Sequence, residues 1–84
     1  MDKELYDRYM HVYYNLYQVK AAHRKDMCRL LDNCAFLWRE MSKESVTCRR
    51  KGRNTIKFND LADQFLVAVE TVEQYFTFAV LING

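Results

Sequence analysis

The segment LADQFLVAVETVEQYFTFA, residues 61–79, has the clearest apolar periodicity in the chain. Its apolar side chains recur at alternating steps of four and three residues, as a helix with one buried face requires. The members of this seam are Leu61, Phe65, Ala68, Val72, Phe76 and Ala79. Acidic residues lie early in the segment, where they complement the helix dipole. We therefore expect a helix over residues 59–81 that begins at Asn59 or Asp60.

Apolar spacing predicts two further helices upstream. The first spans residues 2–24 with Asp2 as its N-cap, and the second spans residues 26–43 with Asp26 as its N-cap. The chain has no proline and only two glycines, so few residues interrupt a helix. One long bent helix over both segments is the alternative. We favour a break near residues 22–26, because a compact core requires the chain to fold back.

Together these segments predict an all-α fold, a small three-helix bundle that forms a single domain over residues 1–84. A chain of this length buries only about 60% of the surface that it exposes when unfolded, so its own core gives marginal stability. Small domains commonly gain further stability from disulfides, metals or oligomerisation.

The segment between the second and third predicted helices is a basic connector over residues 44–58, ESVTCRRKGRNTIKF. It is predicted as a loop or as a short β-hairpin, because apolar residues alternate on both sides of a turn that contains Gly52. Two strands of this length are only marginally stable on their own. Both possibilities stay open from the sequence.

Charge is distributed unevenly, although the net charge is only +2. Residues 20–57 hold eleven basic and four acidic side chains, whereas residues 58–84 hold four acidic and no basic ones. The clustered cations form a candidate basic patch that consists of Arg24, Lys25, Arg49, Arg50, Lys51, Arg53 and Lys57. Such a cluster can contact phosphates, but no aromatic side chains are interleaved with it for base stacking.

Five of the six tyrosines lie in LYDRYMHVYYNLY, residues 5–17, within the first predicted helix. At about 100° per residue, they form a stripe beside an aliphatic core stripe, and the apolar arc widens to roughly 220°. The members of the aliphatic stripe are Leu5, Val12, Leu16 and Val19. Tyrosine is enriched at protein interfaces, so we predict a partner-binding surface, with a cover for the core as the alternative. The candidate partner-binding residues are Tyr6, Tyr9, Tyr13, Tyr14, Tyr17, Trp38 and Phe78.

No arrangement of residues indicates catalysis or metal binding. Cys28, Cys34 and Cys48 lack the close spacing of zinc ligands, and neither histidine is placed beside a nucleophile. We expect no enzymatic activity, no metal, no cofactor and no small-molecule substrate. The sequence shows no signal peptide and no apolar membrane span, so we expect a cytoplasmic, reducing location and no membrane partner.

The expected function is a non-enzymatic protein–protein interaction module, a small adaptor or an occluding inhibitor or regulator. It would form a homodimer, or dock on a larger protein, through the tyrosine stripe. Compact helical chains of this kind fit a viral accessory protein or a mobile-element origin. The alternative is a small nucleic-acid-binding regulator that uses the basic connector.

Overall fold

The computed structural model describes residues 2–83, with side chains up to residue 81; Met1 and Gly84, the ends of the predicted domain, lie outside it. No strand occurs in this described part. Its elements are α1 (Lys3–Tyr14), a 3-10 turn (Leu16–Gln18), α2 (Ala21–Lys51) and α3 (Ile56–Asn83). The prediction of an all-α protein with three helices is confirmed.

The two long helices, α2 and α3, form an antiparallel hairpin. Near the end of α2, the Cys48 Sγ accepts a hydrogen bond from the Thr55 amide N–H at 3.5 Å, just before α3 begins. At the other end of the hairpin, the Tyr75 hydroxyl donates to Asp26 at 3.2 Å. The 31 residues of α2 rise about 46 Å, close to the 49 Å long dimension of the molecule. The α2–α3 turn therefore lies at one end of the molecule.

The core lies along the seam between these two helices. Its largest fully buried side chains are Phe65, Met27, Met41, Val19, Val69, Val72 and Cys34. The predicted seam of the third helix is confirmed: four of its six positions are buried, and Leu61 and Phe76 are half-buried against them. Three members of the predicted aliphatic stripe are also buried, and Leu16 packs partly buried beside them.

The short helix α1 packs against both long helices and runs parallel to α3. Near the start of α1, Leu5 lines a groove with Met41 and Phe58. Asp2, the N-cap of α1, accepts a hydrogen bond from the Leu5 N–H at 3.2 Å. Further along, the Arg8 guanidinium donates two hydrogen bonds to the Glu73 carboxylate. This hydrogen bonding raises the pKa of Arg8 and fixes α1 against α3.

The first helix is much shorter than the predicted span of residues 2–24, because it ends at Tyr14. The Asn15 side-chain amide donates to the His11 carbonyl at 2.7 Å, which occupies one of the last carbonyls of the helix. Asparagine competes for backbone hydrogen bonds in this way and favours turns. Residues 19–20 then adopt extended backbone, with ψ of 134° and 148°.

The break between the first two helices therefore precedes the predicted one at residues 22–26. Helix α2 begins at Ala21, so the prediction of Asp26 as an N-cap is wrong. Lys20 occupies the capping position and makes no side-chain cap hydrogen bond. The carboxylate of Asp26 accepts the Tyr75 hydroxyl instead, and it joins α2 to α3.

The predicted connector over residues 44–58 is wrong, both as a long basic loop and as a β-hairpin. Its first part continues α2 to Lys51 and its last part belongs to α3 from Ile56, so only residues 52–55 lie between the helices. Cys48 extends the buried face of α2 and is only 8% exposed. Burial of this face outweighs the strand preference of the neighbouring β-branched residues.

The turn after α2 is closed by Gly52, whose φ of 68° lies in the left-handed region. Its N–H donates to the Arg49 carbonyl at 3.3 Å, and the Arg53 N–H donates to the Cys48 carbonyl at 3.1 Å. This pair of bonds is the Schellman arrangement that ends many helices, and it favours glycine at the left-handed residue.

Helix α3 begins at Ile56 and not at the predicted residues 59–60. The Thr55 hydroxyl oxygen accepts the Phe58 N–H at 3.0 Å, as an N-cap does, and the same hydroxyl donates to Glu44 at 2.8 Å. The capping residue of α3 is therefore bonded to the last turns of α2, which fixes the two helix ends relative to each other.

We predict that Gly52→Ala lowers the free energy of unfolding by about 1 kcal/mol, because an alanine is strained at positive φ. A Cβ built at this position meets no atom within 4 Å, so backbone strain is the whole effect. Urea denaturation followed by circular dichroism measures it. Gly52→Asn is the control and should lose less, because asparagine tolerates the left-handed region. An alanine variant as stable as the wild type would contradict the assigned turn.

Candidate functional site

The structure divides the predicted tyrosine stripe into two groups. Tyr9 is buried and Tyr6 is half-buried. By contrast, Tyr13, Tyr14 and Tyr17 are 54%, 69% and 72% exposed. The first group lies in the middle of α1, where the helix packs on the hairpin, and the second lies at and beyond the end of α1. We call the second group, Tyr13, Tyr14 and Tyr17, the exposed tyrosine group.

An aromatic cluster holds the first group and joins all three helices. Tyr6 of α1 stacks on Trp38 of α2, with ring centroids 4.5 Å apart and an interplanar angle of 29°. The ring centroids of Trp38 and Phe65 of α3 are 5.4 Å apart. The Tyr9 ring packs edge-on against the same phenylalanine, with centroids 6.4 Å apart. Each such pair adds roughly 0.5–1.5 kcal/mol beyond the burial of its area. Three of the candidate partner-binding side chains are thus packed within the fold.

Local hydrogen bonds hold the segment that carries the exposed tyrosine group. The Gln18 side-chain amide donates to the Asn15 side chain at 2.9 Å and lies 3.5 Å from the Tyr17 hydroxyl. The rings of Tyr13 and Tyr14 meet edge-on, with centroids 5.7 Å apart. The last turn of α1 and the 3-10 turn after it therefore present three aromatic rings to solvent.

Phe78, the remaining partner-binding candidate, is 55% exposed and lies in another cluster. Its ring contacts Tyr75, whose ring also meets His23 with centroids 6.3 Å apart. Removal from water and the hydrogen bond to Asp26 raise the pKa of Tyr75. This cluster joins the start of α2 to the end of α3.

The candidate basic patch is likewise divided between the two ends of α2. Arg24 and Lys25 lie in its first turns, where the Arg24 Nε donates to the Val19 carbonyl at 2.8 Å. The other cations lie about 36 Å away at the opposite end of the helix, at the α2–α3 turn. We call these the basic tip: Arg49, Arg50, Lys51, Arg53 and Lys57.

A groove of about 420 Å³ lies between α2 and α3, and no residue of α1 lines it. Its apolar wall consists of Leu30, Leu37, Val67 and Ala68, with Asn33 and Thr71 among its polar residues. Sequence reasoning missed this groove because apolar spacing places Leu30 and Leu37 on the core face. Only the packing of the helices reveals that buried Leu37 and half-buried Leu30 also border an open groove beside the seam.

The three cysteines are free and occupy different environments. Burial raises the pKa of the Cys34 thiol from 9.0 to about 11, so this side chain is a neutral core group at physiological pH. Cys48 is buried beside Thr55, whereas Cys28 is exposed. Burial also raises the pKa of Tyr9, which lies in the aromatic cluster.

Residues 2–83 contain neither a candidate metal cluster nor a candidate membrane-spanning helix. No group of three or more His, Cys, Asp or Glu side chains is placed to hold a metal ion. No helix in this range combines the length and apolar character needed to cross a bilayer.

No protein-family model matches this chain, and no curated protein or solved structure matches it either.

Tyr9→Ala should lower the free energy of unfolding by about 3–5 kcal/mol, because it removes a buried ring from the aromatic cluster. Tyr17→Ala removes an exposed ring and should change the free energy of unfolding by no more than about 0.5 kcal/mol. Urea denaturation of both variants at low protein concentration makes the comparison. Similar losses for the two would contradict the division of the tyrosines.

The raised pKa of Cys34 predicts that stability falls in alkali. A thiol whose folded-state pKa is raised contributes stability that is fully present below pH 9 and is lost as pH rises through about 11. The loss for this group is on the order of 2 kcal/mol. Unfolding of wild type and Cys34→Ala across this range measures it, and the variant should show the shallower decline. Equal declines would contradict a buried, protonated Cys34.

Proposed function

We propose that this protein is a non-enzymatic protein–protein interaction module that binds through the exposed tyrosine group, with a second copy of the chain as its partner. The observation that carries the proposal is the exposure of Tyr13, Tyr14 and Tyr17, each more than half exposed at the end of α1 or in the 3-10 turn that follows it. Their neighbours Tyr6 and Tyr9 are packed in the aromatic cluster, where Tyr9 is buried and Tyr6 is half-buried.

Tyrosine suits such a surface for physical reasons. Its ring offers a large apolar area with few rotatable bonds, so little conformational entropy is lost when a partner immobilises it. Its hydroxyl bonds to water in the free protein and to polar groups in a complex. An exposed set of rings is therefore tolerated before binding and contributes strongly after it.

A second copy is favoured as the partner by the charge of this surface. Residues 13–18, YYNLYQ, contain no charged side chain. A two-fold interface brings the same patch of both copies together, so an uncharged patch avoids like-charge repulsion. The hydroxyl and amide groups of this segment can both donate and accept hydrogen bonds, which is the self-complementarity that such an interface requires.

The available area indicates a modest affinity. A tyrosine side chain can bury about 150–250 Å², and these three are 54–72% exposed, so together they offer roughly 400 Å². A standard interface buries about 800 Å² on each partner, so neighbouring residues must supply about half of the contact. An interface of this kind belongs to the weaker, reversible class. A module that associates reversibly is suited to work as an adaptor or as an inhibitor that covers a partner's surface.

Light scattering coupled to size-exclusion chromatography, over a series of concentrations, tests the proposal. The wild type should shift from monomer to dimer in the micromolar range. The triple variant Tyr13→Ser, Tyr14→Ser, Tyr17→Ser should weaken association at least about tenfold, because it removes the central rings. Its free energy of unfolding should stay within about 0.5 kcal/mol per substitution.

The matched control is Phe36→Ser with Val67→Ser, which removes two exposed apolar side chains, 51% and 61% exposed, from other faces. This variant should dimerise as the wild type does. A wild type that stays monomeric at high micromolar concentration would rule out the homodimer. Equal weakening by the control and the triple variant would show that the exposed tyrosine group is not the interface.

A further inference from the structure

The basic tip concentrates positive charge at one end of the long molecule. Residues 49–57 contain five cations and no acidic residue. Lys57 lies 3.9 Å from the Glu44 carboxylate. Within residues 2–81, the side chains of the other four make no hydrogen bond or ion pair. These four cations are therefore free to meet an anionic partner.

Helix stabilisation accounts for only part of this charge. Arg49, Arg50 and Lys51 lie in the last turn of α2, where a cation complements the negative end of the helix dipole. Lys57 lies in the first turn of α3, where the dipole disfavours a cation. Arg53 belongs to neither helix. At least two of the five cations thus lack a role in stabilising a helix.

The arrangement of the cations suits a flat anionic surface. Successive residues of a helix point about 100° apart, so Arg49, Arg50 and Lys51 are distributed around the end of α2. A single phosphate backbone running along one side of the helix would meet only some of them. A flat surface perpendicular to the long axis of the molecule can contact the cations on all sides of this helix end, because the α2–α3 turn lies at the end of the molecule.

Ile56 adds an apolar component at the same place. It is the first residue of α3 and is 83% exposed, more than any other large hydrophobic side chain in the described chain. In sequence it lies between Arg53 and Lys57. An aliphatic side chain that projects among cations is typical of proteins that bind anionic membranes, where the charges meet headgroups and the apolar group enters the interface.

We propose that the basic tip docks end-on and reversibly on an anionic phospholipid bilayer. The cations contact the headgroups and Ile56 enters the interfacial region. The lack of a spanning segment predicts no membrane partner, but peripheral docking of this kind needs no such segment. Ile56, which the sequence places in a loop or hairpin, begins α3 instead. Each cation near an anionic surface strengthens binding about fivefold, so the tip supports weak, salt-sensitive attachment.

Vesicle flotation with the full chain tests this proposal. Vesicles of phosphatidylcholine with about 30% phosphatidylserine should retain the wild type at low salt, and pure phosphatidylcholine vesicles should not. The triple variant Arg50→Gln, Lys51→Gln, Arg53→Gln should lose about 100-fold in partitioning. Ile56→Ser, which keeps every charge, should lose up to about tenfold. Circular dichroism of each variant checks that the helices are retained.

The control variant Lys20→Gln, Lys25→Gln, Arg29→Gln removes the same net charge from exposed positions in and around the first turns of α2. It should bind anionic vesicles within about twofold of the wild type, because the tip is intact. Equal losses in the two cation variants would overturn the proposal, since net charge alone would then explain binding. The proposal would also be overturned if the wild type did not bind anionic vesicles, including the case in which its tip binds duplex DNA or RNA instead.

Discussion

The fold depends on the burial of Phe65, the point at which all three helices meet. This side chain is fully buried in α3, and it contacts Trp38 of α2 and Tyr9 of α1. Tyr6 extends the cluster by stacking on the tryptophan. The aromatic cluster therefore attaches the short first helix to the hairpin of α2 and α3, whose shared seam holds most of the remaining core.

The mismatch in helix length explains where the candidate functional surfaces lie. Helix α1 has 12 residues, whereas α2 and α3 have 31 and 28. A short helix covers only part of one side of the hairpin, so its own C-terminal end remains at the surface with the exposed tyrosine group. The other side of the hairpin keeps an open apolar groove, and the α2–α3 turn forms an end of the molecule.

The two proposed binding surfaces differ in their chemistry as well as in their position. The exposed tyrosine group is aromatic and uncharged, which suits contact with a protein surface. The basic tip is cationic, with one projecting aliphatic side chain, which suits an anionic surface. A protein that uses both could associate with a second copy while its hairpin end contacts a membrane.

The helical class and the buried seam of residues 61–79 follow from apolar spacing, because a periodic apolar face can be buried only against another element. Three features depend on tertiary packing: where α1 ends, that α2 continues to Lys51, and which tyrosines are buried. Local preferences differ by about 1 kcal/mol or less per residue, so the hydrogen bonds of Asn15 and the burial of Cys48 are enough to reverse them. Counting at 100° per residue cannot distinguish a ring in the core from a ring at its edge, because burial depends on neighbours that are distant in sequence.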